Sequence, residues 1–325
     1  MQSFSQVQQV FQNYLDENQF EAAPSELYHP VNYILSLGGK RLRPIMLLMA
    51  YNLFREDIEK ALPAAYAVEI FHNFSLLHDD IMDQAPLRRG KPTVHIKYNT
   101  NAGILSGDVM LIYAYKYLMK VENQKRIIDL INLFNKAAVE VCEGQQYDMN
   151  FEKQTEVSIV EYLKMISLKT AVLLAGALKM GAVIADATAK DSRLIYDFGK
   201  NVGIAFQLQD DILDTFGDPQ KFGKRVGGDI IQNKKTYLVL RALELADEST
   251  KTKLKRLLSE HSENESLKVE EVTKIFDQLN IQTEAEQVKE EYLQKAFDSL
   301  DAVSVADKNK TVLRGLADRL MKREV

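Results

Sequence analysis

The chain has 325 residues, 46% of them hydrophobic and 27% charged, with a formal net charge of −5. This is ordinary globular composition with ample apolar material for one large core. The acidic balance excludes nucleic acid as the main partner, because phosphate-backbone binding calls for a basic face. The single cysteine, Cys142, excludes an intrachain disulfide; it reads as a small buried hydrophobe in a cytoplasmic protein.

The N-terminus has neither the basic start nor the apolar centre of a signal peptide. Val7, Val10, Phe11 and Tyr14 fall on one face of a first helix. The run from Pro44 through Phe54 is apolar nearly all round, as an interior helix is. Pro63 stands in the first turn of the next helix, which runs through Val68, Phe71, Phe74 and Leu77 to Asp83. Further helices are expected at about 103–121, 125–150, 157–185, 190–216, 234–258, 268–279, 283–300 and 307–323. The most apolar stretch, Ala171 to Ala187, is interrupted by Lys179. A membrane span needs about 20 mainly apolar residues, so this stretch is expected to be a buried helix and no transmembrane segment is expected. No strand alternation and no βαβ rhythm is found. The expectation is therefore an all-α fold with one domain over residues 1–325. Loop signals are few: Gly38-Gly39, Pro86 to Pro92, Gly217 to Gly228 and Ser259 to Ser266.

One repetition carries chemistry. Leu77-His78-Asp79-Asp80-Ile81-Met82-Asp83 is answered by Leu208-Gln209-Asp210-Asp211-Ile212-Leu213-Asp214. In each, the first and third aspartates are four apart and share a helix face, while the middle one is rotated by about 100°. Three carboxylates at a helix C-terminus oppose the macrodipole and repel each other. About 0.1 such motifs are expected by chance at average aspartate frequency, so two call for a function. Aspartate oxygens suit Mg²⁺, which shares its remaining positions with water and substrate phosphates. Two such clusters suit a diphosphate bridged by metal ions.

A polyanion also needs cations. Gly38-Gly39-Lys40-Arg41-Leu42-Arg43-Pro44 is a turn with three of them, and it is no Walker loop, since no Ser or Thr follows the lysine. Arg88-Arg89-Gly90-Lys91 follows the first aspartate motif, and arginine suits multidentate phosphate binding. A Gly- and Lys-bearing loop from Phe216 through Lys224 to Thr236 follows the second motif and is placed to close over phosphates. Lys169-Thr170 interrupts an apolar helix, where a buried ammonium needs an anion to answer it.

These residues resemble the trans-isoprenyl diphosphate synthases of the polyprenyl synthetase family. Six motifs in order carry the likeness: GGKRLRP at 38–44, LLHDDIMD at 76–83, RRGKPTVH at 88–95, GQQYD at 144–148, KTA at 169–171 and QLQDDILD at 207–214. The resemblance implies a helical bundle around a deep central cavity, and a homodimer. It implies Asp79, Asp83 and Asp210 as ligands of a small Mg²⁺ cluster, with Mn²⁺ a possible substitute. Asp80, Asp211 and Asp214 would support them. Lys40, Arg43, His72 and Arg89 would hold isopentenyl diphosphate; Arg88, Lys169, Lys224 and Lys234 would hold the allylic diphosphate. Thr170 and Gln207 would flank the developing cation. The first motif lacks the two-residue insertion of many bacterial short-chain members.

Phe74, five residues before Asp79, is placed as a floor for the growing chain, and Ser75 beside it is small. In the family this combination resembles geranylgeranyl-type enzymes, with a farnesyl product next. Three other readings fit the sequence less well. A class I terpene cyclase needs one diphosphate site and does not consume isopentenyl diphosphate. A di-iron protein needs Glu-x-x-His twice, and only Glu69-Ile70-Phe71-His72 fits. A non-catalytic synthase subunit is expected to lose aspartates that are intact here.

Overall fold

The computed structural model describes residues 2–218, 226–259 and 264–322. Sixteen α-helices are described: α1 Phe4–Glu17, α2 Ser25–Ser36, α3 Leu42–Asn52, α4 Leu62–Met82, α5 Val94–Lys97, α6 Thr100–Leu118, α7 Ile127–Lys153, α8 Ile159–Ile166, α9 Val172–Ile184, α10 Ala189–Phe216, α11 Gly228–Ile231, α12 Tyr237–Leu245, α13 Glu248–Ser259, α14 Glu265–Gln278, α15 Ile281–Asp301 and α16 Asp307–Lys322. A two-residue hairpin, β1 Leu87–Arg88 with β2 Lys91–Pro92, is the one sheet among the described residues.

The expected all-α fold is observed. The two helices that carry the aspartate motifs, α4 and α10, stop at their aspartates: Asp83 caps α4, and α10 ends two residues past Asp214. Between them runs an apolar rod. Ser158 and Glu161 form a reciprocal capping box that starts α8. A π-helical turn, Ser167–Ala171, then joins α8 to α9. The rod Ile159–Ile184 is long and apolar enough to cross a membrane, with mean hydropathy 1.5, yet its apolar window is 67% buried within this molecule. It packs against α3, α7 and α10 as the axis of the bundle. One apolar cluster joins α1 to α7, α9 and α10 with α15 and α16, and a second joins α8, α10, α12, α14 and α15 behind the second aspartate motif.

Four differences from the sequence expectations have physical causes. Helix α2 was not expected, because Pro30 lies inside it and removes one backbone donor. The segment 157–185 is divided by its π turn. The segment 234–258 breaks after Leu245, where the Asp247 carboxylate accepts from Thr250 N at 2.7 Å and starts α13. Cys142 is exposed on α7, not buried.

Candidate active site

The end of α4 separates its three aspartates. Asp80 is 2% exposed and accepts two hydrogen bonds from Arg88, from Nε at 2.8 Å and from Nη2 at 2.7 Å. This fork orients the guanidinium. Asp79 and Asp83, on the adjacent face, point toward the rod. Asp79 Oδ1 is buried, accepts no hydrogen bond from the described residues, and lies 3.9 Å from Lys169 Nζ. Burial raises the pKa of both carboxyls, and the Asp79 charge adds to the rise at Asp83.

Helix α10 repeats the division. Asp211 is buried among apolar groups; its Oδ2 accepts from the Tyr162 hydroxyl and, at 3.3 Å, from Tyr237 N. Burial pushes its carboxyl up to about 7, against the pull of the Tyr162 bond. Asp214 Oδ2 accepts from Asp229 N at 2.9 Å, so one oxygen holds the start of α11. Asp210 lies seven residues after Gly203, on the α10 face that meets the π turn. Asp80 and Asp211, expected to support the metal-holding aspartates, are each buried and bonded to a protein donor, Arg88 in one case and Tyr162 in the other.

The π turn brings the two motifs together. A Cβ at Gly144 would lie 2.2 Å from Lys169 N, and one at Gly203 would lie 2.7 Å from Ala171 Cα. Only glycine lets α7 and α10 approach the turn this closely. Lys169 Nζ donates to Asp148 Oδ2 at 2.5 Å. Asp148 is a neighbouring acid that answers this half-buried lysine; its place in GQQYD, four residues after Gly144 and so on the same face, was the available signal. Thr170 Oγ1 donates to Gln207 Oε1 at 3.3 Å. Lys234 follows α11 and lies 3.3 Å from Asp229 Oδ1. Burial lowers its pKa, but Asp229 and the more distant Asp148 and Asp83 reverse this and leave it above the ordinary lysine value.

The 38–44 turn divides its cations. Arg41 is buried, in the left-handed region at φ 49°, and bonded to Glu69 and to Leu35 O. It builds the turn. Lys40 is exposed at the tip. Arg43 Nη1 lies 3.1 Å from His72 Nε2. Burial, then Arg43, holds His72 well below its usual range, so the ring is neutral and accepts from the arginine. Burial lowers Arg43 to about 10, which leaves it charged at neutral pH. Arg89 donates to Gly38 O, and a Cβ at Gly39 would lie 2.7 Å from its Cζ. Arg43, His72 and Arg89 therefore converge on one turn, close to Arg88. The di-iron reading fails here, since Glu69 and His72 are taken by Arg41 and Arg43. Lys224 lies outside the described residues, as does the centre of the expected loop.

Phe74 is half-buried on α4. Its ring centroid lies 5.5 Å from Phe71 and 4.8 Å from His78; Phe71 in turn meets Phe134 of α7 at 5.2 Å. Ser75 Oγ donates to His72 O at 2.8 Å. Met110 on α6 is fully buried.

Among the described residues no three acidic, histidine or cysteine side chains converge as a ready-made metal cage. The donor set still fits Mg²⁺: hard carboxylates on helix ends, one buried oxygen unbonded, and raised carboxyl pKa values that a divalent cation would reverse. A cleft of about 350 Å³ lies between α7, α9 and α10, away from the aspartates, and one of about 210 Å³ lies behind the 38–44 turn, lined by Gly38 and Arg41.

Residues 24–278 match the family model described as Polyprenyl synthetase. A short chain isoprenyl diphosphate synthase of Methanocaldococcus jannaschii is 43% identical over 92% of this chain and 89% of its own. A geranylgeranyl diphosphate synthase of Methanosarcina mazei is 41% identical over 68% of each chain. A crystal structure of a geranylgeranyl pyrophosphate synthase superposes with a TM-score of 0.95 at 45% identity, covering 100% of both chains. The fold and the paired aspartate helices are those of an all-α prenyltransferase. The chain belongs to the polyprenyl synthetase family, and its reaction class is short-chain prenyl diphosphate synthesis.

Proposed function

We propose that the protein condenses isopentenyl diphosphate with an allylic diphosphate, with Mg²⁺, to make geranylgeranyl diphosphate. The observation that carries this reading is the convergence of both aspartate helices on one lysine-bearing turn. Lys169 reaches Asp79 at 3.9 Å, and Thr170 reaches Gln207 of α10 at 3.3 Å.

Asp79, Asp83 and Asp210 are the metal-holding carboxylates, with Asp214 giving its second oxygen. Bound there, Mg²⁺ neutralises charge on the departing diphosphate. Arg88, fixed by Asp80, together with Lys169, Lys224 and Lys234, takes the allylic diphosphate. Lys40, Arg43, His72 and Arg89 take isopentenyl diphosphate; neutral His72 leaves the Arg43 charge for the substrate. When the allylic C–O bond breaks, the Thr170 and Gln207 oxygens face the cation. The homoallylic double bond attacks it, a proton leaves to a diphosphate oxygen, and the product is one isoprene unit longer. Apolar walls along α4 keep water from the cation. The deep central cavity is part of this proposal, opening beneath the phosphates toward Phe74.

Phe74 with a small residue at 75 supports the geranylgeranyl product; farnesyl diphosphate is the second reading. A homodimer is supported by an exposed apolar stripe. Leu105 and Ile112 on α6 and Met119, which caps it, are seven residues apart and 59–62% exposed, and Ile128 and Val139 of α7 are also exposed. The cytoplasm suits an exposed free thiol.

The test is incorporation of isopentenyl diphosphate by the purified chain. It stops on chelation and returns with Mg²⁺ or Mn²⁺. Product formation without isopentenyl diphosphate would instead indicate a cyclase, and none with any starter a non-catalytic subunit.

A further inference from the structure

Four residues assigned to the allylic end of the site are carried by elements that hang from one buried point. Asp211 is 4% exposed and Tyr162 is 3% exposed, and they bond to each other inside the second apolar cluster. A leucine at 211 would pack there without the desolvation penalty of a carboxylate, so packing alone does not account for the residue.

Its acceptors do. Tyr162 sits on α8, seven residues and about 10 Å along the rod from Lys169. Tyr237 N opens α12, three residues after Lys234. The Gln207 side chain, one turn before Asp211, is a further donor to it, while Gln207 Oε1 accepts from Thr170. Asp210 is the adjacent residue. One carboxylate thus ties together the elements that carry Lys169, Lys234, Thr170 and Asp210.

We propose that Tyr162 is a positioning residue: by holding Asp211, it sets the register of the second aspartate motif against Lys169 and Lys234. Tyr162 does not touch substrate. It keeps three separate elements in one alignment, and it fixes the Gln207 amide with its oxygen toward Thr170. The isopentenyl diphosphate side is built on α3, α4 and the β1–β2 hairpin and shares none of these bonds. The inference rests on the functional reading above.

The measurement is thermal stabilisation of the full chain by inorganic diphosphate as Mg²⁺ is titrated, alongside steady-state kinetics. Tyr162→Phe keeps the ring and removes the donor. Outer partners of metal ligands are worth about 10- to 100-fold in metal affinity. The variant is therefore expected to need about tenfold more Mg²⁺ for the same shift, and to raise the allylic KM while leaving the isopentenyl diphosphate KM within about twofold. The double variant with Asp211→Asn is expected to be no worse than the more damaging single one, because both break one bond. Unchanged Mg²⁺ dependence with only a lower Tm, or an equal rise in both KM values, or additive losses in the double variant, would each overturn the positioning role. The shift needs no turnover. A wild-type chain that does not respond to Mg²⁺ and diphosphate contradicts the functional reading and this inference with it, whereas a normal wild-type shift matched by Tyr162→Phe overturns this inference alone.

Discussion

Arg88 meets both carboxylate oxygens of Asp80, at 2.8 and 2.7 Å, across the eight residues that turn the chain out of α4. The middle aspartate of the first motif is thereby a buried anchor for a cation, while its neighbours Asp79 and Asp83 lie on the adjacent face, with Asp79 3.9 Å from Lys169.

Lysine cannot reproduce this fork, since it offers a point charge in place of two parallel donors. Arg88→Lys loses one charged hydrogen bond, a cost of about 1.5–3 kcal/mol. The urea midpoint is expected to fall accordingly and the allylic KM to rise. An unchanged midpoint would show that the fork does not hold the native state together.

The π turn is expected to tolerate no added carbon at its contacts. Gly144→Ala places a Cβ 2.2 Å from Lys169 N. Overpacking of this kind costs about 1–3 kcal/mol, and a displacement of about 1 Å at a catalytic group costs on the order of 100-fold in rate. The variant should lose kcat far more than its Tm loss explains, as steady-state rates at saturating substrate would show.

His72 gives a pH dependence of known sign. Its folded pKa lies well below the ordinary 6.5 because of burial, then Arg43. The folded state therefore binds fewer protons than the unfolded state, and stability rises with pH. The contribution is full above about 6.5 and is lost as pH falls below that value toward the lowered folded pKa. Tm measured from about pH 7.5 to 5 should fall less steeply for His72→Gln than for the parent chain; parallel curves would remove His72 as the cause.

Product length should follow the aromatic stack on α4. Phe74 meets Phe71 at 5.5 Å, and Phe71 rests on Phe134. Phe74→Ala is expected to lengthen the product and Ser75→Phe to shorten it, as read by mass spectrometry. Identical products from both variants would place the floor elsewhere.

The sequence showed most of the fold because its helices bury wide apolar stripes, as in α3 and α9, and the period is plain. It did not show α2, where Pro30 masks the pattern, nor the π turn, whose existence depends on Gly144 and Gly203 of other helices. The aspartates were legible because three like charges at a helix end have no stabilising purpose. Which protein donors hold the middle aspartates was not legible. Asp80 and Asp211 differ from their neighbours only in meeting Arg88 and Tyr162, one brought back by a turn and the other 49 residues away. Asp148 and the burial of Arg41 are likewise tertiary facts, set by partners on other elements.

The most direct test of the central claim is product analysis. The purified chain would be incubated with Mg²⁺, isopentenyl diphosphate and, in turn, dimethylallyl, geranyl and farnesyl diphosphate, and the products weighed by mass spectrometry. The account predicts consumption of isopentenyl diphosphate and accumulation of geranylgeranyl diphosphate from each starter. Folded protein that consumes no isopentenyl diphosphate with any starter would contradict it.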